Sequence, residues 1–115
     1  RVQESDLDAV TAVSGSGPAY VFAMIESLME AAERVGLPPD LARPLIAQTL
    51  VGAVALWVQG EDDASVLRER VTSKGGTTEA ALAQLAKHGV HDAWLDAVDA
   101  AYRRSRELSG EHPSA

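Results

Sequence analysis

The sequence predicts an all-α domain, a bundle of five or six helices that completes its core against a second copy of itself. Three observations carry this expectation. Apolar residues make up 46% of the 115 residues while aromatic residues make up only 4%; much of the apolar fraction is alanine, which favours helices in close contact over a β-sandwich. Apolar side chains recur at helical spacing along the chain, and no segment alternates convincingly as a strand. One segment, Leu41 to Val58, is apolar around its whole circumference, and a helix of that kind requires cover on every side.

The first helix is expected around Asp6 to Val13, ending at Ser14-Gly15-Ser16-Gly17-Pro18. Pro18 fits the first turn of a second helix, where its missing N–H costs nothing. That second helix aligns Val21, Met24, Ile25, Leu28, Met29 and Ala32 on one face and Glu26, Glu30 and Glu33 on the other. Gly36 stops it, and Leu37-Pro38-Pro39-Asp40 starts the third. Between Leu45 and Val58 only Gln48 and Thr49 are polar, and Trp57 closes the run. The run is shorter than the roughly 20 residues that span a bilayer. Its cover is therefore expected from protein, in an obligate, intertwined (domain-swapped) homodimer. Pro44 is expected to bend the first turns, since it donates no backbone hydrogen bond.

Gly60-Glu61-Asp62-Asp63 is an acidic break before a short helix from Ala64 to Val71. A helix from Thr78 to Lys87 follows, ending at His88-Gly89, and a last one runs from His91 to Leu108 with Trp94, Leu95, Val98 and Tyr102 as its buried face. Residues 1–108 are thus expected to form the helical domain, with 109–115 a disordered tail. The formal charge of −7 leaves no basic stripe to meet phosphates, which argues against a nucleic-acid partner. The absence of cysteine removes disulfides and thiolate chemistry. Arg1 to Asp8 has no apolar signal region, and a chain starting with Arg rather than Met reads as a piece of a longer protein.

Two glycine-rich knots stand at helix entrances. Val71-Thr72-Ser73-Lys74-Gly75-Gly76-Thr77-Thr78-Glu79 puts unpaired N–H groups at a helix start, where hydrogen bonds and dipole both favour a small carboxylate or phosphate. The plain alternative is a Gly-Gly turn with a threonine cap; the Walker A spacing is absent. Ser14-Gly15-Ser16-Gly17-Pro18 lacks the preceding strand and third glycine of a dinucleotide fingerprint, and reads as a capped turn. His88 and His91 have no companion ligands, and Glu61, Asp62 and Asp63 read as a solvated loop, so no metal site is expected.

Taken together, Thr11-Ala12-Val13-Ser14-Gly15-Ser16-Gly17-Pro18-Ala19-Tyr20 and Val71 to Thr78, with the Gly36-Leu37-Pro38 break and the Arg104 to Leu108 ending, resemble pyrroline-5-carboxylate reductase over nearly the whole chain. The resemblance is to the C-terminal helical dimerisation domain of that family, whose architecture is like the C-terminal domain of 6-phosphogluconate dehydrogenase. It implies hydride transfer from NADPH or NADH, bound mainly by an N-terminal Rossmann domain that this sequence does not include, to the C=N carbon of 1-pyrroline-5-carboxylate, giving L-proline in the cytoplasm. The partners it implies are a second copy of the chain, a possible ring of dimers and a small imino acid, with no membrane. Ser73, Gly75, Gly76, Thr77 and Thr78 match the substrate-carboxylate loop, Thr78 matches the threonine at the ring nitrogen, and Thr11 and Ser14 match residues at the nicotinamide end. Glu61 matches a common acid of no assigned step. Lys74 departs from the family, which often has proline there. The alternatives are an oligomerisation module without catalysis and the helical domain of a related dehydrogenase or imine reductase; this chain alone is expected to be inactive.

Overall fold

The computed structural model describes residues 4–110, and every regular element within them is helical. Helix α1 (Glu4–Val10) passes directly into a π turn (Thr11–Gly15), followed by α2 (Gly17–Arg34), α3 (Pro39–Gln59), α4 (Ala64–Arg70), α5 (Thr77–Lys87) and α6 (Val90–Gly110). The all-α expectation holds. The last helix continues past Leu108, and the rest of the predicted tail, 111–115, lies outside the described residues. The residues group into two compact units, Arg1–Phe22 with Leu85–Ala115, and Ala23–Gln84.

The first unit is organised around the π turn, which packs against α1 and α6. The sequence predicts a plain helix to Val13 and then a capped turn; instead the backbone widens, and the Ser16 N–H donates to the Thr11 carbonyl five residues back at 2.9 Å. Ala12 is completely buried at this point. The Tyr20 phenol donates to the Ala12 carbonyl at 2.6 Å, and the Tyr20 ring meets Trp94 of α6 edge-on, with centroids 6.0 Å apart. Ser105 of α6 donates to the Asp8 carboxylate at 2.6 Å, tying α6 to α1. On the predicted inner face of α6, Val98 and Tyr102 are half-buried, whereas Trp94 and Leu95 stay more exposed.

The second unit opens with the end of α2. Gly36 has φ +93°; its N–H donates to Glu33 O at 3.0 Å and the Leu37 N–H to Ala32 O at 2.9 Å. This is the paired closure that a glycine just past a helix end permits. Ala32 is buried beneath it and Leu37 half-buried, so the stop read from Gly36 is also a packing point. Helix α3 then starts on Pro39 at its first position, with Asp40 in the first turn where a negative charge is favoured. It runs without a break through Pro44 to Gln59.

Helix α3 is about 31 Å long at 1.5 Å per residue, and of its residues only Ala42 is buried. Leu45, Val51, Val54, Leu56, Trp57 and Val58 are each more than half exposed. One open apolar groove runs along Leu50, Val51, Val54, Ala55 and Val58; a second lies between α3 and α4, lined by Val54, Trp57, Leu67 and Val71 among others. The expectation that this helix needs cover on every side stands, and the chain's own residues supply little of it. By length and composition alone, with a mean hydropathy of 1.5, α3 also meets the requirement for crossing a membrane.

Candidate functional site: the turn before α5 and the π turn

The loop from α4 to α5 is built almost wholly by backbone bonds. At the end of α4, the Thr72 hydroxyl donates to Arg68 O at 2.6 Å and its N–H to Glu69 O at 3.1 Å, satisfying carbonyls that the helix leaves open. The Gly76 N–H then donates to Ser73 O at 3.0 Å, closing a four-residue turn. Gly75, third in that turn, has φ +76°, which is the type II requirement for a residue without a Cβ. A Cβ on Gly76 would stand 3.3 Å from Ser73 O, so this second glycine is needed for closeness rather than for dihedral freedom.

The structure separates the roles of the residues predicted to grip an anion. The Gly75 N–H is taken by the Glu79 carboxylate at 2.9 Å, and the Gly76 N–H by Ser73 O. Gly76 in turn supplies the carbonyl that Ala80 bonds at 3.2 Å, as the residue capping α5. The donors left open by helix geometry are those of Thr77, Thr78 and Glu79, all in the first turn of α5. The hydrogen bonds thus shift the anion-ready amides one or two residues along from the glycines. Thr77 and Ser73 are exposed, while Gly76 and Thr78 are half-buried.

Glu79 was not singled out from the sequence as a site residue. Its signal is nonetheless present, an acid in the third position of a helix, where it reaches back to amides before the first turn. Lys74 occupies the second turn position, which proline favours because its ring fixes φ near −65°. We expect Lys74→Pro to raise stability by about 0.5–1 kcal/mol, through a less flexible unfolded chain, and to leave substrate affinity nearly unchanged. Thermal unfolding and steady-state kinetics check this. A loss of activity above about a hundredfold, roughly 2.7 kcal/mol, would reveal a specific role for the lysine.

Thr11 and Ser14 lie in the π turn of the first unit, both exposed. Beyond Ser16 the winding returns to α, and the Ala19 and Tyr20 amides both turn to the Ser16 carbonyl, at 3.1 and 3.4 Å. Pro18 has no N–H. Among the described residues, the Ser14 and Gly15 carbonyls therefore meet no amide one turn on. The turn thus carries exposed hydroxyls and open carbonyls, donors and acceptors both. This turn and the Ser73–Thr78 loop belong to different units.

The remaining candidates carry no cluster. His88 and His91 are both exposed. Glu61 is exposed, and Asp62 pairs with Arg70 at 2.7 Å, which closes the acidic break onto α4. Among the described residues, no three metal-ligating side chains gather.

Comparison with known proteins covers nearly the whole chain. The family model for pyrroline-5-carboxylate reductase dimerisation matches residues 4–108. The chain is 49% identical to the pyrroline-5-carboxylate reductase of Synechocystis sp. over 108 residues, covering 94% of this chain and 40% of that protein. It is 41% identical to pyrroline-5-carboxylate reductase 2 of Bacillus subtilis over 114 residues, covering 99% of this chain and 41% of that protein. The crystal structure of the Plasmodium falciparum pyrroline carboxylate reductase with NADP bound superposes with a TM-score of 0.90 at 36% identity, covering 93% of this chain and 41% of that one. The chain thus spans about two fifths of the length of the curated relatives it matches.

Proposed function

This chain belongs to the pyrroline-5-carboxylate reductase family through its dimerisation domain, and from that membership we propose that it is the C-terminal part of a reductase making L-proline from 1-pyrroline-5-carboxylate. In this reading residues 1–108 form the domain that joins two subunits and grips the substrate. A nucleotide-binding domain N-terminal to it holds most of the NADPH or NADH. The observation that carries the proposal is the junction of the Ser73–Gly76 turn with α5, where the Thr77, Thr78 and Glu79 amides are open at a helix start.

Each group then has a stated task. The open amides donate to the substrate carboxylate, with the helix dipole favouring its charge. Ser73, Gly75 and Gly76 shape the turn that delivers those amides. Thr78, at the second position of α5, presents its hydroxyl to the ring nitrogen. When bound, the nicotinamide cofactor supplies the hydride that the C=N carbon receives. A threonine hydroxyl is a poor acid at neutral pH, so Thr78 orients the imine and relays a proton from water. The π-turn edge fits the cofactor's carboxamide: Thr11 and Ser14 bring hydroxyls, and the Ser14 and Gly15 carbonyls accept its N–H groups.

A second chain covers α3 in this reading, and the enzyme works in the cytoplasm as a dimer or a ring of dimers. The match to a dimerisation family supports protein rather than lipid as the cover for that helix. Amide exchange on the domain tests the site directly. L-proline at millimolar concentration is expected to slow exchange at Thr77, Thr78 and Glu79 and to leave the Gly75 and Gly76 amides, already bonded, unchanged. Protection confined to the two glycines, or none at all, would overturn the assignment of the carboxylate to α5.

A further inference from the structure

We propose that Tyr20 is a positioning residue for the nicotinamide end of the cofactor, because its phenol pins the π turn that carries Thr11 and Ser14. The proposal rests on the reading that those two hydroxyls meet the cofactor, and it adds a residue that acts only through the backbone.

A π turn is a rare winding that α-helix geometry outcompetes unless something outside it intervenes. Here the bonding changes register at the C-terminal end of the turn. Ser16 reaches back to Thr11, but Pro18 has no N–H and the Ala19 and Tyr20 amides are both spent on Ser16. Two contacts hold the widened backbone in place. The Ala12 methyl is wholly buried, and the Ala12 carbonyl accepts the Tyr20 hydroxyl at 2.6 Å, short for an O–H···O bond. That bond spans eight residues and so crosses from α2 back onto the turn.

The phenol is itself aimed. Tyr20 is half-buried and its ring packs edge-on to Trp94 at an interplanar angle of 71°, a favourable aromatic geometry. The chain thus reads Trp94 on α6, Tyr20 on α2, the Ala12 carbonyl, and then Thr11 and Ser14 on the turn. Rewinding the turn to α geometry rotates Ser14 relative to Thr11. Losing the phenol therefore removes pre-organisation of a ligand-facing edge while leaving the aromatic packing in place.

The test uses the full-length reductase with Tyr20→Phe, which keeps the ring against Trp94 and deletes only the hydroxyl. We expect the KM for NAD(P)H to rise about tenfold, the KM for the imino acid to stay within about twofold, and exchange of the Ser16 amide to quicken about five- to tenfold. Site-specific 3-fluorotyrosine at position 20, which restores a hydroxyl on the same ring, returns all three values to those of the parent. Unchanged Ser16 exchange in Tyr20→Phe overturns the pinning. A uniform rise in both KM values, or no rescue by fluorotyrosine, also overturns it. Ser14→Ala separates this from the underlying reading. An unchanged cofactor KM there refutes the π turn as a cofactor edge, whereas a raised one beside a normal Tyr20→Phe refutes the role of Tyr20 alone.

Discussion

A single Val54→Asp substitution is expected to abolish the dimer and with it the folded domain. Val54 lines both apolar grooves on α3, the one along the helix and the one against α4, and within the single chain it is 56% exposed. Under a partner chain it becomes buried, and a carboxylate there is desolvated with no cation to pair it. That costs several kcal/mol per site, and a two-fold interface contains the site twice. Little remains to hold the monomer once the interface is lost, because its buried apolar residues among those described are three alanines, Ala12, Ala32 and Ala42.

Covering Leu45, Val51, Leu56, Trp57 and Val58 together contributes on the order of 5–10 kcal/mol per chain, a scale comparable to the total stability of a small domain. The parent protein should therefore be a dimer by light scattering, with a melting temperature that rises with protein concentration. Val54→Asp should be monomeric and largely unfolded by circular dichroism. A well-folded parent monomer, or a mutant dimer of unchanged melting temperature, would sink the assignment of α3 to the subunit interface. A parent that is soluble only in detergent would return α3 to the membrane reading that its length permits.

How far the sequence reaches follows from what each feature depends on. The existence of α3 and its need for cover follow from composition around a circumference, which no tertiary detail changes. The stop at Gly36 was legible because left-handed dihedrals select glycine. The turn at Gly75 was legible for the same reason. The π turn was not: Ser14-Gly15-Ser16-Gly17-Pro18 carries small, cap-forming residues, and a bond to the fifth rather than the fourth residue leaves no mark in composition. It depends on Tyr20 and Trp94, which come from two other helices. The glycine pair before α5 marks unpaired amides at a helix start, but composition does not say which residues carry them. The partners of the glycine amides, Ser73 O and the Glu79 carboxylate, are set by turn closure and by one side-chain rotamer.

That redistribution of amides sharpens the second large expectation, a loss of roughly a hundredfold in kcat for Thr78→Ala in the full-length reductase. Alanine is a better helix former than threonine, so at the second position of α5 it leaves the fold intact and isolates the hydroxyl. In the proposed site the carboxylate grip comes from backbone amides of Thr77, Thr78 and Glu79, which the substitution preserves. Substrate KM should therefore change by less than about threefold, and the deficit should fall on kcat, where orienting the imine and relaying its proton act in the transition state. Thr78→Ser keeps a hydroxyl at the same place and should recover most of the rate, short of the parent because serine lacks the γ-methyl that restricts the χ1 of threonine. Were the threonine instead a carboxylate ligand, KM would rise steeply in Thr78→Ala with kcat preserved. Unchanged kinetics would remove Thr78 from the reaction altogether. The amides of α5 would then stand as an anion grip, and the proton on the ring nitrogen would need a source outside this domain.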